Sequence, residues 1–237
     1  VRMCIACNTC IDGMRTGGEL HCLVNAATGR ELTFPNIEAD RTLREAGKRI
    51  AVIGAGPGGL TYASLVATQN AVTVFERGPR AGGTFRLAGL APKFQEVDAN
   101  PVSLERYVTR LEQACREAGV RFEFNSAIAT DDPRLKDFDL IVVATGARYR
   151  WGFGPLIAAA LRSGLLRHGL LRRFASDDRM REWFYYRARR ANTDGWPKQT
   201  TSGARVIVIG DARAPGKSQA AILSAFEAAL VIPGRGP

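Results

Sequence analysis

The chain has 237 residues, 46% of them hydrophobic and 24% charged, with ordinary shares of glycine and proline, which is the composition of a folding globular protein rather than a disordered or fibrous one. No apolar run approaches the length of a membrane span and the N-terminus lacks a charged-then-apolar signal pattern, so neither a membrane partner nor secretion is expected and the cytoplasm is the default compartment. The net charge of +10 raises the question of an anionic partner, but no nucleic-acid motif accompanies it, and nucleic acid is not expected.

Four of the five cysteines fall within the first 22 residues, spaced Cys4-x2-Cys7-x2-Cys10-x11-Cys22. A disulfide framework does not explain such clustering in a long chain without a signal peptide. Two intervening residues put successive sulfurs on one side of a turning backbone, so the three close cysteines and the returning fourth suit a [4Fe–4S] cubane. A structural zinc site is the alternative, although its four thiolates usually come as two separated pairs. His21, beside Cys22, reads as a loop histidine, and Cys115, at an apolar helical position, as a small buried hydrophobe. Residues 1–48 are loop-rich and show no sustained periodicity, so their order is expected to come from the cluster.

From Arg49 the pattern changes. The apolar run Ile50–Ile53 leads into Gly54-Ala55-Gly56-Pro57-Gly58-Gly59, then a helical stretch to about Gln69 and a β-rich run from Ala71 to Phe75, which is a βαβ unit. Glu76 follows 22 residues after Gly54. In this setting Gly54 permits the tight turn, Gly56 the approach of a pyrophosphate to the helix N-terminus and Gly59 close helix–strand packing. Glu76 can accept hydrogen bonds from the adenosine ribose and disfavours a 2′-phosphate. Gly58 belongs to the same loop, and Arg77, Gly83 and Thr84 are further cofactor-binding candidates just beyond Glu76, although Gly82-Gly83 also reads as an ordinary turn.

A helix is expected from Ser103 to Ala118, capped by Gly119, followed by strand-like Val120–Phe124. Asp139–Ala144 and Arg205–Ile209 read as buried parallel strands, and a last helix runs from about Lys217 to Leu230. Both strands end in ligand-type turns, Ala144-Thr145-Gly146 and Gly210-Asp211, where open α/β sheets bind their ligands; Asp211 can reach ribityl or pyrophosphate-side groups, and together these favour FAD over NAD. The fold class is therefore α/β, Rossmann-like and FAD/NAD(P)-binding, with a small N-terminal [4Fe–4S] segment and a helical insert. Its divisions are 1–48 for the cluster segment, 49–150 for the dinucleotide core, 151–203 for the insert and 204–237 for the return to the core. Between Trp151 and Thr200 ten basic residues face four acidic ones (Asp177, Asp178, Glu182, Asp194), a local +6. The insert, with Trp183-Phe184-Tyr185-Tyr186, reads as a small helical cap or as a surface for a partner.

Taken together, Cys4-Ile5-Ala6-Cys7-Asn8-Thr9-Cys10-Ile11, Cys22-Leu23-Val24-Asn25 with Gly29-Arg30-Glu31, the glycine loop with Glu76, and Ile209-Gly210-Asp211-Ala212 resemble the two C-terminal domains of the old-yellow-enzyme-related iron–sulfur flavoproteins. That family includes trimethylamine dehydrogenase, histamine dehydrogenase and 2,4-dienoyl-CoA reductase, and the gap between Cys7 and Cys10 is similar to its amine-dehydrogenase branch. The resemblance implies a [4Fe–4S] cluster on the four cysteines, FAD or ADP on the glycine loop, and FMN with the substrate site on a TIM barrel. The barrel is not in this sequence, which implies a separate FMN-binding subunit in a hetero-oligomer, or a cut chain. It further implies an electron-transfer component of an amine-oxidising, N-demethylating dehydrogenase, with an electron-transfer flavoprotein as a possible acceptor and no catalytic acid–base residue of its own. The alternatives are an NAD(P)H-driven electron-input module of the enoyl-reductase type and a non-redox ADP-binding scaffold. The second nucleotide-binding unit of the family has only the 58 residues between Gly146 and Arg205 to occupy, and no glycine fingerprint lies there.

Overall fold

The computed structural model describes residues 3–34, 42–95, 97–193 and 195–231; Asp194 of the insert and the ends of the first and last expected divisions lie outside them. A short helix α1 (Thr9–Arg15) precedes β1 (Arg49–Ile53), α2 (Pro57–Val66), β2 (Ala71–Phe75), α3 (Gly83–Ala88), the small hairpin β3 (Lys93–Phe94) and β4 (Val97–Asp98), α4 (Pro101–Glu117) and β5 (Arg121–Glu123). Then come β6 (Leu140–Val143), β7 (Arg148–Tyr149), α5 (Gly154–Arg162), α6 (Gly169–Ser176), α7 (Asp178–Tyr186), β8 (Arg189–Arg190), β9 (Arg205–Val208) and α8 (Ser218–Ala229).

Five strands form one sheet in the order β5-β2-β1-β6-β9, with every pair parallel. Ile50 stands between Val72 and Leu140, and Val52 between Val74 and Val142. Because alternate residues of a strand point to opposite faces, the uninterrupted apolar run of β1 feeds two cores. Ile50 and Val52 face the larger one, with Leu60 and Val66 of α2, Leu104 and Cys115 of α4, and Ile222 and Phe226 of α8. Ala51 and Ile53 face a smaller one with Ile141, Val143, Leu135 and Trp196. Among the described residues no α-helix covers that second face; the 3-10 turn Pro133–Asp137 and the loop around Trp196 do so instead.

The helices follow their local chemistry. The Asn100 side chain caps α4 by accepting from the Val102 and Ser103 N–H groups, Pro101 opens the first turn, and Gly119 at φ +86° ends it. Cys115 is fully buried and donates to the Leu60 carbonyl at 3.3 Å; burial pushes its thiol up to about 12, as befits a packing residue.

Three details depart from expectation. The α2 helix ends at Val66, short of Gln69. The N-terminal segment holds the helix α1, and it is also anchored by packing: Ile5, Cys7, Leu23, Val24 and Phe34 are buried in the larger core, with Phe34 edge-on to Phe226 of α8 at 5.4 Å. The helices of the expected 151–203 insert are confined to 154–186. The excursion leaves and re-enters through a two-stranded neck in which Arg148 pairs with Arg190 and Tyr149 with Arg189, and Trp196 returns to the smaller core. Among the described residues no helix is long and apolar enough to cross a membrane.

Candidate functional site

The strand order reverses at β1, since β2 and β5 build outward on one side and β6 and β9 on the other. The crevice at the carboxyl ends of β1 and β6 is therefore the expected ligand position of an open parallel sheet. Gly54 and Ala144 meet there. Gly54 lies at φ +107°, and a Cβ on it would stand 2.5 Å from the Ala144 carbonyl oxygen, so the turn admits glycine alone. A Cβ on Gly59 would overlap the Gly54 carbonyl oxygen and press on the Ala144 side chain, which makes Gly59 the residue that lets α2 close on the strands. Gly56 differs: nothing lies within 4 Å of where its Cβ would be, and as N-cap of α2 it leaves the first turn without a side-chain cap. Open space over an uncapped helix N-terminus is the arrangement a pyrophosphate needs. Gly58 faces away, toward the Ala221 carbonyl of α8 at 3.2 Å, and so serves helix packing.

The Glu76 carboxylate is buried at the tip of β2, where Oε2 accepts from the Ala55 N–H at 2.9 Å and Oε1 from the Gly78 N–H at 2.8 Å. It thus fixes the glycine loop while retaining lone pairs for ribose hydroxyls. Gly83 opens α3 beside Gly56, its would-be Cβ 3.9 Å from the Gly56 Cα, and the Gly82 N–H donates to the Ala55 carbonyl. Arg77 and Thr84 are both exposed at the rim.

At the other lip, Thr145 and Asp211 are both engaged by the end of the insert. Arg189 Nη1 donates to Asp211 Oδ2 at 2.8 Å, Nη2 to the Gly216 carbonyl, and Nε to the Tyr185 carbonyl, with the guanidinium 5.0 Å from the centre of the Tyr185 ring. Asp211 Oδ1 accepts from the Gly216 N–H, and Asn192 donates from its side chain to Thr145 Oγ1 and from its backbone to the Ala212 carbonyl. Burial pushes the Asp211 carboxyl up from its ordinary value, while Arg189 and the Gly216 N–H pull it back down. Gly146 and Gly210 both adopt positive φ at these strand ends, and a Cβ on Gly210 would press on Ala221. Sequence reasoning missed Arg189 and Asn192: neither belongs to a motif, and Arg189 is one of three arginines in four residues.

The cysteine loop turns through left-handed backbone at Ala6 and Asn8, on either side of Cys7. The Ala6 N–H donates to Cys4 Sγ at 3.3 Å, and Cys7 Sγ lies 3.3 Å from Thr9 Oγ1. Cys4 is exposed, Cys7 buried, and Cys10 and Cys22 half-buried, none of them in a disulfide. Among the described residues no group of three or more His, Cys, Asp or Glu side chains is gathered so that it could hold a metal ion. The ligands of a cubane each bind a different iron and stand farther apart than those of a single ion, and the N–H···S contact and alternating turns suit thiolates arranged around such a body. His21 Nδ1 lies 3.0 Å from the Glu19 carbonyl oxygen, which accepts from it in the Nδ1–H tautomer.

Residues 52–96 match the family described as NAD(P)-binding Rossmann-like domain. The chain is 34% identical over 147 residues to a probable N-methylproline demethylase of Rhizobium meliloti, and 30% identical over 152 residues to an N,N-dimethylglycine/sarcosine dehydrogenase of Chromohalobacter salexigens. Each match covers 62% of this chain but 20% of the relative, so the chain spans about a fifth of the length of these proteins. A solved 2-naphthoyl-CoA reductase in complex with 2-naphthoyl-CoA shares the fold at TM-score 0.69 and 16% identity, over 98% of this chain and 46% of that one. The chain is therefore a mixed α/β protein with a parallel, Rossmann-like dinucleotide-binding unit, and its relatives are demethylating and dehydrogenating oxidoreductases.

Proposed function

We propose that the chain is the iron–sulfur and dinucleotide-binding electron-transfer part of an amine-oxidising, N-demethylating dehydrogenase. In this reading electrons pass between an FMN on a barrel-type partner, a [4Fe–4S] cluster on Cys4, Cys7, Cys10 and Cys22, and FAD in the glycine-loop crevice or an electron-transfer flavoprotein. The observation that carries it is the docking of the four-cysteine loop, through buried Cys7, Ile5 and Leu23, onto the same core that positions α2 and its open N-terminus. Two relatives named for N-methyl amine oxidation support the substrate class.

Within this reading the four thiolates hold the cluster, Gly54 and Gly56 leave room for the pyrophosphate, the first turn of α2 faces its charge, and Glu76 accepts from the adenosine ribose. When bound, these groups supply electron transfer at a potential set by their surroundings; the chain orients them and excludes water. The test is to purify the protein anaerobically, assay iron and sulfide, and identify the nucleotide released on denaturation. About four irons and four sulfides per chain, with FAD, are expected. Protein containing neither iron nor sulfide overturns the reading.

One observation favours a second occupant of the crevice. Space is open over Gly56, and Glu76 has only backbone N–H partners, whereas Asp211, the candidate for the ribityl side, is already held by the Arg189 guanidinium as well as the Gly216 N–H. ADP fits such a half-open site, and colourless ADP in place of FAD on the same chromatogram identifies a scaffold in which the cluster is the redox centre.

A further inference from the structure

Helices α5, α6 and α7 contain no buried residue, and α6 is exposed at every position from Gly169 to Phe174. Leu170 is 84% and Phe174 58% exposed, and with Met180, Arg173 and Asp177 they line a shallow, open groove between α6 and α7. Leu156, Leu165 and Leu171 extend the apolar surface along the excursion. The ion pairs that the excursion makes among the described residues are Arg172–Asp98, Arg181–Asp178 and Arg189–Asp211. Arg162, Arg173, Arg179 and Arg187 are exposed without one.

We propose that this face docks an acidic electron-carrier protein. The carrier's redox role rests on the electron-transfer reading above; its acidity rests on the excess of unpaired arginines. Exposed apolar side chains set among cationic ones are the anatomy of a protein–protein contact, and complementary charge around them steers a partner and sets its orientation. Three other occupants fit less well. A second copy would bring one strongly cationic face against another. Nucleic acid would leave Leu170 and Phe174 facing phosphates, in a class of interface that is far more polar. An anionic bilayer presents a flat surface that takes up free aromatic rings, whereas the apolar residues here line a depression between two helices and Trp183 is already stacked on Trp151, with ring centres 6.0 Å apart and planes within 8°.

The test uses the full chain with the cofactors it purifies with, and an oxidised acidic [2Fe–2S] ferredoxin as the probe, titrated by calorimetry at low and at high salt. Binding is expected at about 20 mM salt and should weaken at least tenfold by about 200 mM. The triple variant R173E/R179E/R187E should weaken low-salt binding at least about tenfold. The control R106E/R110E/R121E, with the same charge change at exposed positions on α4 and β5, should change it less than about twofold. No binding at low salt, equal loss in both variants, concentration-dependent dimerisation that the first variant abolishes, or preferential binding of the same face to vesicles containing phosphatidylserine or to a DNA duplex each overturns the proposal. Thermal unfolding of both variants checks that they fold. Iron, sulfide and nucleotide are assayed on the same preparation, so a chain that holds its cofactors but does not bind sinks only the docking proposal, and a chain without iron sinks the functional reading independently.

Discussion

The parallel sheet and the helical excursion 154–186 use the same kinds of residue to opposite ends. In the sheet and its covering helices, Ile50, Val52, Leu60 and Ile222 are removed from water entirely, and each strand is held by one or two parallel neighbours. In the excursion, Leu156, Leu165, Leu170, Phe174 and Trp183 stay largely in water, and the connection to the core runs through two short strands and a few arginines. Helical periodicity is present in both; burial is present in one. The sheet region is thus expected to carry the global stability of the chain, and the excursion to open locally at far lower cost.

The comparison breaks first at Leu60. Its side chain is fully buried where α2 meets the sheet, so Leu60→Ala removes a packed side chain and leaves a cavity that rigid neighbours fill poorly. A loss of about 2–5 kcal/mol in denaturant unfolding is expected; a loss below about 1 kcal/mol would show that the sheet is no more tightly packed than the excursion.

Next is Gly59→Ala, which tests the site rather than the core. The added methyl overlaps the Gly54 carbonyl and pushes α2 away from the loop that it supports. The expected cost is about 1–3 kcal/mol, with loss of co-purifying nucleotide. Full retention of nucleotide would mean that the approach of α2 to the loop does not shape the pocket.

Arg189→Gln probes the seam between the two regions. The substitution leaves the Asp211 carboxylate, 18% exposed, without its cation, for an expected loss of about 1–3 kcal/mol at neutral pH. Burial already holds Asp211 above its ordinary value of 3.8, so in the native chain its contribution to stability is full below that value and falls as pH rises through the folded value. Without Arg189 the carboxyl is pushed higher still. The deficit of the variant should therefore be greatest near neutral pH and shrink on acidification toward 3.8, where Asp211 takes up a proton and no longer needs a cation. A deficit independent of pH would place the role of Arg189 in its bonds to the Gly216 and Tyr185 carbonyls instead.

How much of this was legible in the sequence follows from the range of each interaction. The run Ile50–Ile53, the glycine loop and Glu76 are contiguous or one βαβ unit apart, and their periodicity and spacing predict the strands, the turn and the edge at which they meet. The boundaries of β6, β9 and α8 shift by one residue from expectation for the same reason. Asp211 was legible as a site residue, but its partner was not. Arg189 lies 22 residues earlier in a run of arginines, and only the neck formed by β7 and β8 selects it from Arg187 and Arg190. The return of Trp196 to the smaller core and the packing of Ile5 and Leu23 against the larger one are long-range apolar contacts, and a chain read one window at a time carries no mark of them.

The smallest effect is the most discriminating. Leu170 is the most exposed of the large apolar residues of α6 and lines the groove, so in the isolated chain Leu170→Ala loses almost no buried area, and alanine is the better helix former. Unfolding should change by no more than about 0.5 kcal/mol, in either direction. If the groove receives a partner, the same substitution should still weaken ferredoxin binding several-fold, because the cost appears only once the leucine is buried. Stability and binding would then separate at one residue, as they must if the excursion contributes a surface rather than a core. A destabilisation of about 2 kcal/mol or more would instead place Leu170 inside the folded structure and remove the contrast between the two regions.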